Sequence, residues 1–148
     1  TRYRSLSIAS GPVTASAPRR LETVAYFPEE INISKFIGRV FNRIEVGSDE
    51  ILFVADDFVA KMYHQQDCCE SVAVEDINGD IQALVGNVIV AAEEVSNREG
   101  NDYGSQTWTF YKLADSAAHY VTIRWLGESN GYYSESVEIV QLATPPAA

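Results

Sequence analysis

The feature that most constrains this chain is the distribution of its apolar residues, which come in short β-branched and aromatic runs, each ended by a polar break. Residues 51–55 (ILFVA) and 58–63 (FVAKMY) flank Asp56-Asp57, a two-residue break that reads as the turn of a hairpin. Residues 71–75 alternate apolar with polar, 88–92 form a short apolar run, and 106–113, 119–126 and 137–142 are rich in strand-favouring side chains. Asn130-Gly131 is the strongest turn dipeptide present and predicts a hairpin between strands at 119–126 and 133–142. Helical spacing is scarce: a segment at 29–36, a turn around 65–69 and another around 80–85. Residues 95–105 (VSNREGNDYGS) read as the longest polar loop. This pattern predicts a mainly β protein, a small antiparallel sandwich or barrel-like sheet with one or two short helices covering an open edge.

Charge divides the chain. Residues 1–20 hold Arg2, Arg4, Arg19 and Arg20 and no acid, so against a net charge of −10 the remainder carries −14. These first residues are rich in Ser, Ala, Pro and Thr without periodicity, which predicts an extended basic arm. The expected organisation is this arm at 1–20, a single β-rich domain at 21–143 and a C-terminal tail at 144–148, where Pro145-Pro146 opposes strand pairing. A body this acidic repels a phosphate backbone, so nucleic acid is not an expected partner. No run approaches the length of a membrane span and the start lacks the apolar stretch of a secretory signal, so no membrane partner is expected either. The start at Thr1 is expected to reflect removal of an initiator Met.

The polar chemistry gathers in two stretches. In the first, His64, Asp67, Cys68, Cys69 and Glu70 are ligand types, and on a helical turn His64 and Cys68 would share a face. A structural zinc site draws on two separated ligand pairs, and no second pair exists, so no metal or other cofactor is expected; a bound metal would use His64, Asp67 and Cys68. The alternative is that His64 and the cysteines pack beneath a strand end. Both thiols are expected to be reduced, because a bridge between neighbouring residues closes a strained ring. Asp76 to Asp80 resembles the opening of a calcium loop, but Gly79 stands fourth in that run and Asn87 replaces the closing acid, so a turn with Asp80 capping a short helix is the better reading. The paired acids Glu75/Asp76 and Glu93/Glu94 read as solvated faces. In the second stretch Trp125, Tyr132 and Tyr133 are expected to pack across the Asn130-Gly131 hairpin, with Arg124 pairing Glu135 or Glu70, and the same aromatics offer a binding surface.

The combination HxxDCCE at 64–70, EDxxGD at 75–80 and SNGYYSE at 129–135, with Trp108 to Tyr111, resembles an uncharacterised domain family associated with tailed-bacteriophage proteins, over about residues 38 to 140. That resemblance implies no catalytic residues. The phage association together with the basic arm leads to the expectation of a non-enzymatic structural protein of a tailed-phage particle, a capsid decoration or cement protein or a tail accessory, made in the host cytoplasm and located in the virion. The expected partners are other virion proteins, foremost the major capsid protein, in an oligomeric or assembled state. Arg2, Arg4, Arg19 and Arg20 would clamp a neighbouring subunit, and Trp125, Tyr132 and Tyr133 would add contacts. The competing expectations are a small soluble phage enzyme or host-modulating factor using the cluster from His64 to Asp80, and a sugar- or protein-binding module.

Overall fold

A computed structural model describes residues 28–142. The arm, its four arginines and the tail lie outside the described residues.

Nine strands form two sheets among those residues, and every pairing is antiparallel. They are β1 (Glu29–Glu30), β2 (Arg43–Val46), β3 (Glu50–Val54), β4 (Val59–Tyr63), β5 (Ser71–Asn78), β6 (Ile89–Asn101), β7 (Gly104–Asp115), β8 (Tyr120–Ser129) and β9 (Glu138–Leu142). One sheet runs β1-β9-β4-β3-β2 and the other β5-β8-β7-β6, giving the sandwich that the alternation predicts. Inward residues of the two sheets meet in one core: Ile51 and Phe53 from β3, Met62 from β4, Tyr111 from β7, Ile123 and Trp125 from β8 are all fully buried. Phe36 stands among Phe41, Phe53 and Phe58 in edge-to-face contacts, with centroids 5.2, 4.8 and 5.9 Å away.

The Asp56-Asp57 hairpin forms as expected, closed by the Ala55 N–H donating to the Phe58 carbonyl at 2.7 Å. Three other expectations are corrected. The segment 29–36 is not one helix: Glu29 and Glu30 pair with Gln141 and Val140 of β9, and Ile33–Phe36 form a single 3-10 turn. One such turn suffices, because Ile33 and Phe36 at i, i+3 are the residues to be buried. The second short helix, Ile81–Leu84, is likewise 3-10, and Asp80 caps it by accepting from the Gln82 N–H.

The polar segment 95–105 is not a loop. β6 and β7 continue through it as a long hairpin to Asn101 and Gly104, where the Asn101 side chain accepts from the Tyr103 and Gly104 N–H groups. β6 is an edge strand, exposed on both faces near its tip, so no apolar alternation is required to build it.

Asn130-Gly131 does not turn a hairpin either. β8 and β9 belong to different sheets, and residues 130–137 carry the chain across the sandwich. The reason lies five residues beyond the turn, in Glu135.

Candidate functional site

Three buried carboxylates organise the polar motifs, and each spends its oxygens on donors from its own chain. Glu135 is 5% exposed and accepts from the hydroxyls of Ser105 and Thr107 on β7 and Ser129 on β8. Two strands thus hold the returning segment down, which prevents residues 133–137 from pairing with β8. The backbone approaches closely here: a Cβ on Gly127 would sit 2.6 Å from the Glu135 carbonyl oxygen, so only glycine fits. Burial alone would raise the Glu135 pKa, but the Ser105, Ser129 and Thr107 hydroxyls, aided by the charge of Arg98, lower it on balance.

Glu70 does the same beside the next residue of the crossover, Ser136. It accepts from His64 Nε2 at 2.7 Å and from the backbone N–H groups of Asp67 and Cys68 at 2.8 and 2.9 Å. His64 Nδ1 lies 2.7 Å from the Ser136 carbonyl, so the ring bridges Glu70 and Ser136 and ties the first motif to the second. The side chains of His64 and Glu70 are 3% and 0% exposed. The His64 hydrogen bond outweighs desolvation, and with the backbone donors it lowers the Glu70 pKa to about 2.

Asp115, also buried, closes the β7–β8 turn by accepting from the Ala117 and His119 N–H groups, His119 Nδ1 and the Asn87 amide. Burial raises its pKa, and these donors more than reverse that, leaving it at about 2.

The residues offered as metal ligands are engaged otherwise. Cys68 and Cys69 are exposed, at the bend between β4 and β5, and their sulfurs are bonded to each other, which overturns both the reduced pair and its packing beneath a strand. The physical reason is local: no strand passes through residues 64–70, and the bend folds around the Glu70 carboxylate, bringing consecutive side chains to one side. His64 is spent on Glu70 and Ser136, and Asp67 is exposed. Among the described residues no group of three or more His, Cys, Asp or Glu side chains is arranged to hold a metal ion.

The expected aromatic surface divides. Trp125 is fully buried and its indole N–H points to Met62 Sδ at 3.3 Å, so it belongs to the core and not to an exposed rim. Tyr132 is 87% exposed and Tyr133 half-buried. Arg124 faces outward, where it pairs with Asp76 at 3.3 Å and lies over the Trp108 ring at 5.1 Å; Glu70 and Glu135 point the other way. Trp108, Phe110 and Tyr103 form the outward surface that sequence reasoning passed over. Strand alternation carried the signal, since β7 buries Thr107, Thr109 and Tyr111 and thereby turns Trp108 and Phe110 outward.

These features define an antiparallel β-sandwich domain whose polar motifs fasten a sheet-to-sheet crossover and whose outer face presents aromatics. The chain belongs to the family of the domain of unknown function DUF7448, whose model matches residues 34–139. No curated protein and no solved structure gives a significant match. No helix among the described residues is long and apolar enough to cross a membrane.

Proposed function

We propose that this chain is a non-enzymatic structural protein of a tailed-phage particle, a capsid decoration or cement protein or a tail accessory, bound to other virion proteins and foremost to the major capsid protein. The observation that carries this reading is the saturation of Glu70, Asp115 and Glu135 by donors of their own chain. A general acid or base needs a lone pair or proton directed at a substrate, and carboxylates held low by internal donors serve as fasteners instead. Charge supports the assembly role: a +4 segment at residues 1–20 leads a −14 remainder, complementary to the acidic surface of a neighbouring copy or subunit. The phage assignment itself rests on the resemblance carried by the three polar motifs.

The test is deletion of residues 1–20. The shortened chain should keep the wild-type thermal melt, since the described strands begin at Glu29, yet be missing from purified virions in which the full chain is present at a fixed copy number. Changing Arg2, Arg4, Arg19 or Arg20 singly should matter little, and changing all four should matter more, increasingly so at raised salt. Normal incorporation of the shortened chain would refute the clamp and favour a soluble phage factor.

A further inference from the structure

The outer face of the β5-β8-β7-β6 sheet carries a feature that neither the fold nor the crossover uses. Trp108 and Phe110 project from alternate positions of β7 with parallel rings, 5° between planes and centroids 6.1 Å apart. Each is half-buried, and no residue of the opposite sheet covers this face. Two neighbouring aromatic rings left part-exposed on an outward face, outside the core, offer apolar surface for a contact site.

The surroundings specify the contact. A groove of about 580 Å³ lies over the two rings and is edged by Asn78, Asn97, Arg98, Glu99, Thr122 and Arg124. Glu99 also lines a second groove, of about 480 Å³, that continues to the hairpin tip past Gln106 and Glu128 to Tyr103, which is 93% exposed. The resulting track holds the Trp108, Phe110 and Tyr103 rings and is edged by amides, a hydroxyl, two arginine forks and carboxylates. Aromatic faces take the apolar C–H faces of pyranose rings, while amides, Arg and Glu pair with ring hydroxyls as donors and acceptors. Arg124 is already oriented for this, held by Asp76 and by its contact with the Trp108 ring.

Charge narrows the class. Arg98 and Arg124 stand against Glu99 and Glu128 along the track, so its formal charges cancel, and within a chain that carries −10 it gives an anionic polymer, nucleic acid included, no net attraction. A protein partner of ordinary affinity would need a larger apolar core than two rings in a polar track provide. We infer that the Trp108–Phe110 face, continued to Tyr103, binds a neutral oligosaccharide of several pyranose units.

The full chain tests this in three steps. A printed array of neutral and acidic glycans is probed with labelled protein, and ¹H–¹⁵N spectra are titrated with chitotetraose and cellotetraose, with tetragalacturonate as the anionic control. The expected result is saturable retention of neutral glycans, shifts confined to residues around 97–110 and 122–126, and no response to tetragalacturonate. Trp108→Ala and Tyr103→Ala should each weaken binding at least tenfold while leaving the melting temperature near that of wild type, since both side chains lie outside the core. Should Trp108→Ala lower the melting temperature, Phe110→Leu, which keeps apolar volume but removes the ring, is the substitute. Absence of any neutral glycan on the array, preference for acidic glycans, or undiminished binding by Trp108→Ala or Phe110→Leu would each overturn the inference. The particle role proposed above is tested by arm deletion alone, so the two readings fail independently.

Discussion

Replacing Glu135 by Ala should destabilise the protein more than any other single change in the polar motifs, and the geometry sets the size. Three hydroxyl donors, from Ser105, Thr107 and Ser129, converge on this carboxylate. Hydrogen bonds to a charged group contribute about 1.5–3 kcal/mol each, and keeping the carboxylate out of water takes back much of their sum. Removing the carboxylate also deprives three hydroxyls of the charged acceptor on which they converge. A net loss of about 2–3 kcal/mol follows, which for a domain of this size lowers Tm by roughly 8–12 °C. Glu135→Gln should cost about 1 kcal/mol, because hydroxyls can turn to accept from the new amide. The pH dependence has a definite sign. The folded-state pKa is depressed below its ordinary 4.5, so the stability Glu135 supplies is complete above that value and is lost as pH falls below it. Thermal melts followed by circular dichroism, for wild type and both variants at neutral and acid pH, supply the measurement. If Glu135→Ala melts within about 2 °C of wild type, or Glu135→Gln is as unstable as Glu135→Ala, then three converging hydrogen bonds do not hold the crossover and the reasoning fails.

Glu70, lowered from 4.5 to about 2, contributes stability that is whole above pH 4.5 and lost as pH falls from there toward 2, so Glu70→Gln should flatten the decline of Tm across that window; parallel declines would contradict the His64 assignment. Phe36→Ala, which removes the ring touched by three other phenylalanines, should cost about 3–5 kcal/mol in urea unfolding, and a cost below about 1 kcal/mol would mean the core collapses around the gap. Gly127→Ala should cost about 1–3 kcal/mol, because its Cβ would meet the Glu135 carbonyl at 2.6 Å; a neutral effect would show that the crossover backbone shifts freely.

The fold was legible wherever burial follows alternation. β3 and the stretch of β7 from Thr107 to Leu113 bury every second residue, and both were readable as strands from their runs of β-branched and aromatic side chains. β2 buries Ile44 alone, and β1 is two residues long, so neither leaves a pattern. The tip of β6 is solvated on both faces and carries the composition of a loop while having the backbone of a strand. Asn130-Gly131 misled for a different reason. The dipeptide does turn, with Gly131 at φ 98° and Asn130 accepting from the Tyr132 N–H, but a local turn signal cannot report that Glu135 is drawn toward β7 and β8. The candidate site was partly legible. His64, Glu70 and Glu135 stood inside the motifs singled out for their chemistry, while their pairing with distant donors depends on the arrangement of the sheets. Trp125 and Trp108 differ by one step of parity, and that step decides which is core and which is surface.

The placement of the polar motifs gives their buried carboxylates a structural task in the crossing between the sheets. The chain must leave β8 in one sheet and enter β9 in the other, and residues 130–137 make that crossing with few apolar side chains to anchor them. Anchoring therefore falls to polar contacts of two consecutive residues: Glu135 to hydroxyls of β7 and β8, and Ser136 to His64, itself held by Glu70. Glu138 extends the second anchor by accepting from the Gln65 N–H at 3.3 Å. The contacts that reach β7, His64 and Gln65 join residues 28 to 73 positions apart, so they form only once the sheets have come together. The same buried carboxylates that a search for catalysis would select are thus the groups that fix which sheet β9 joins. The aromatic track on the opposite face of β7 takes no part in that task, which leaves it free for recognition.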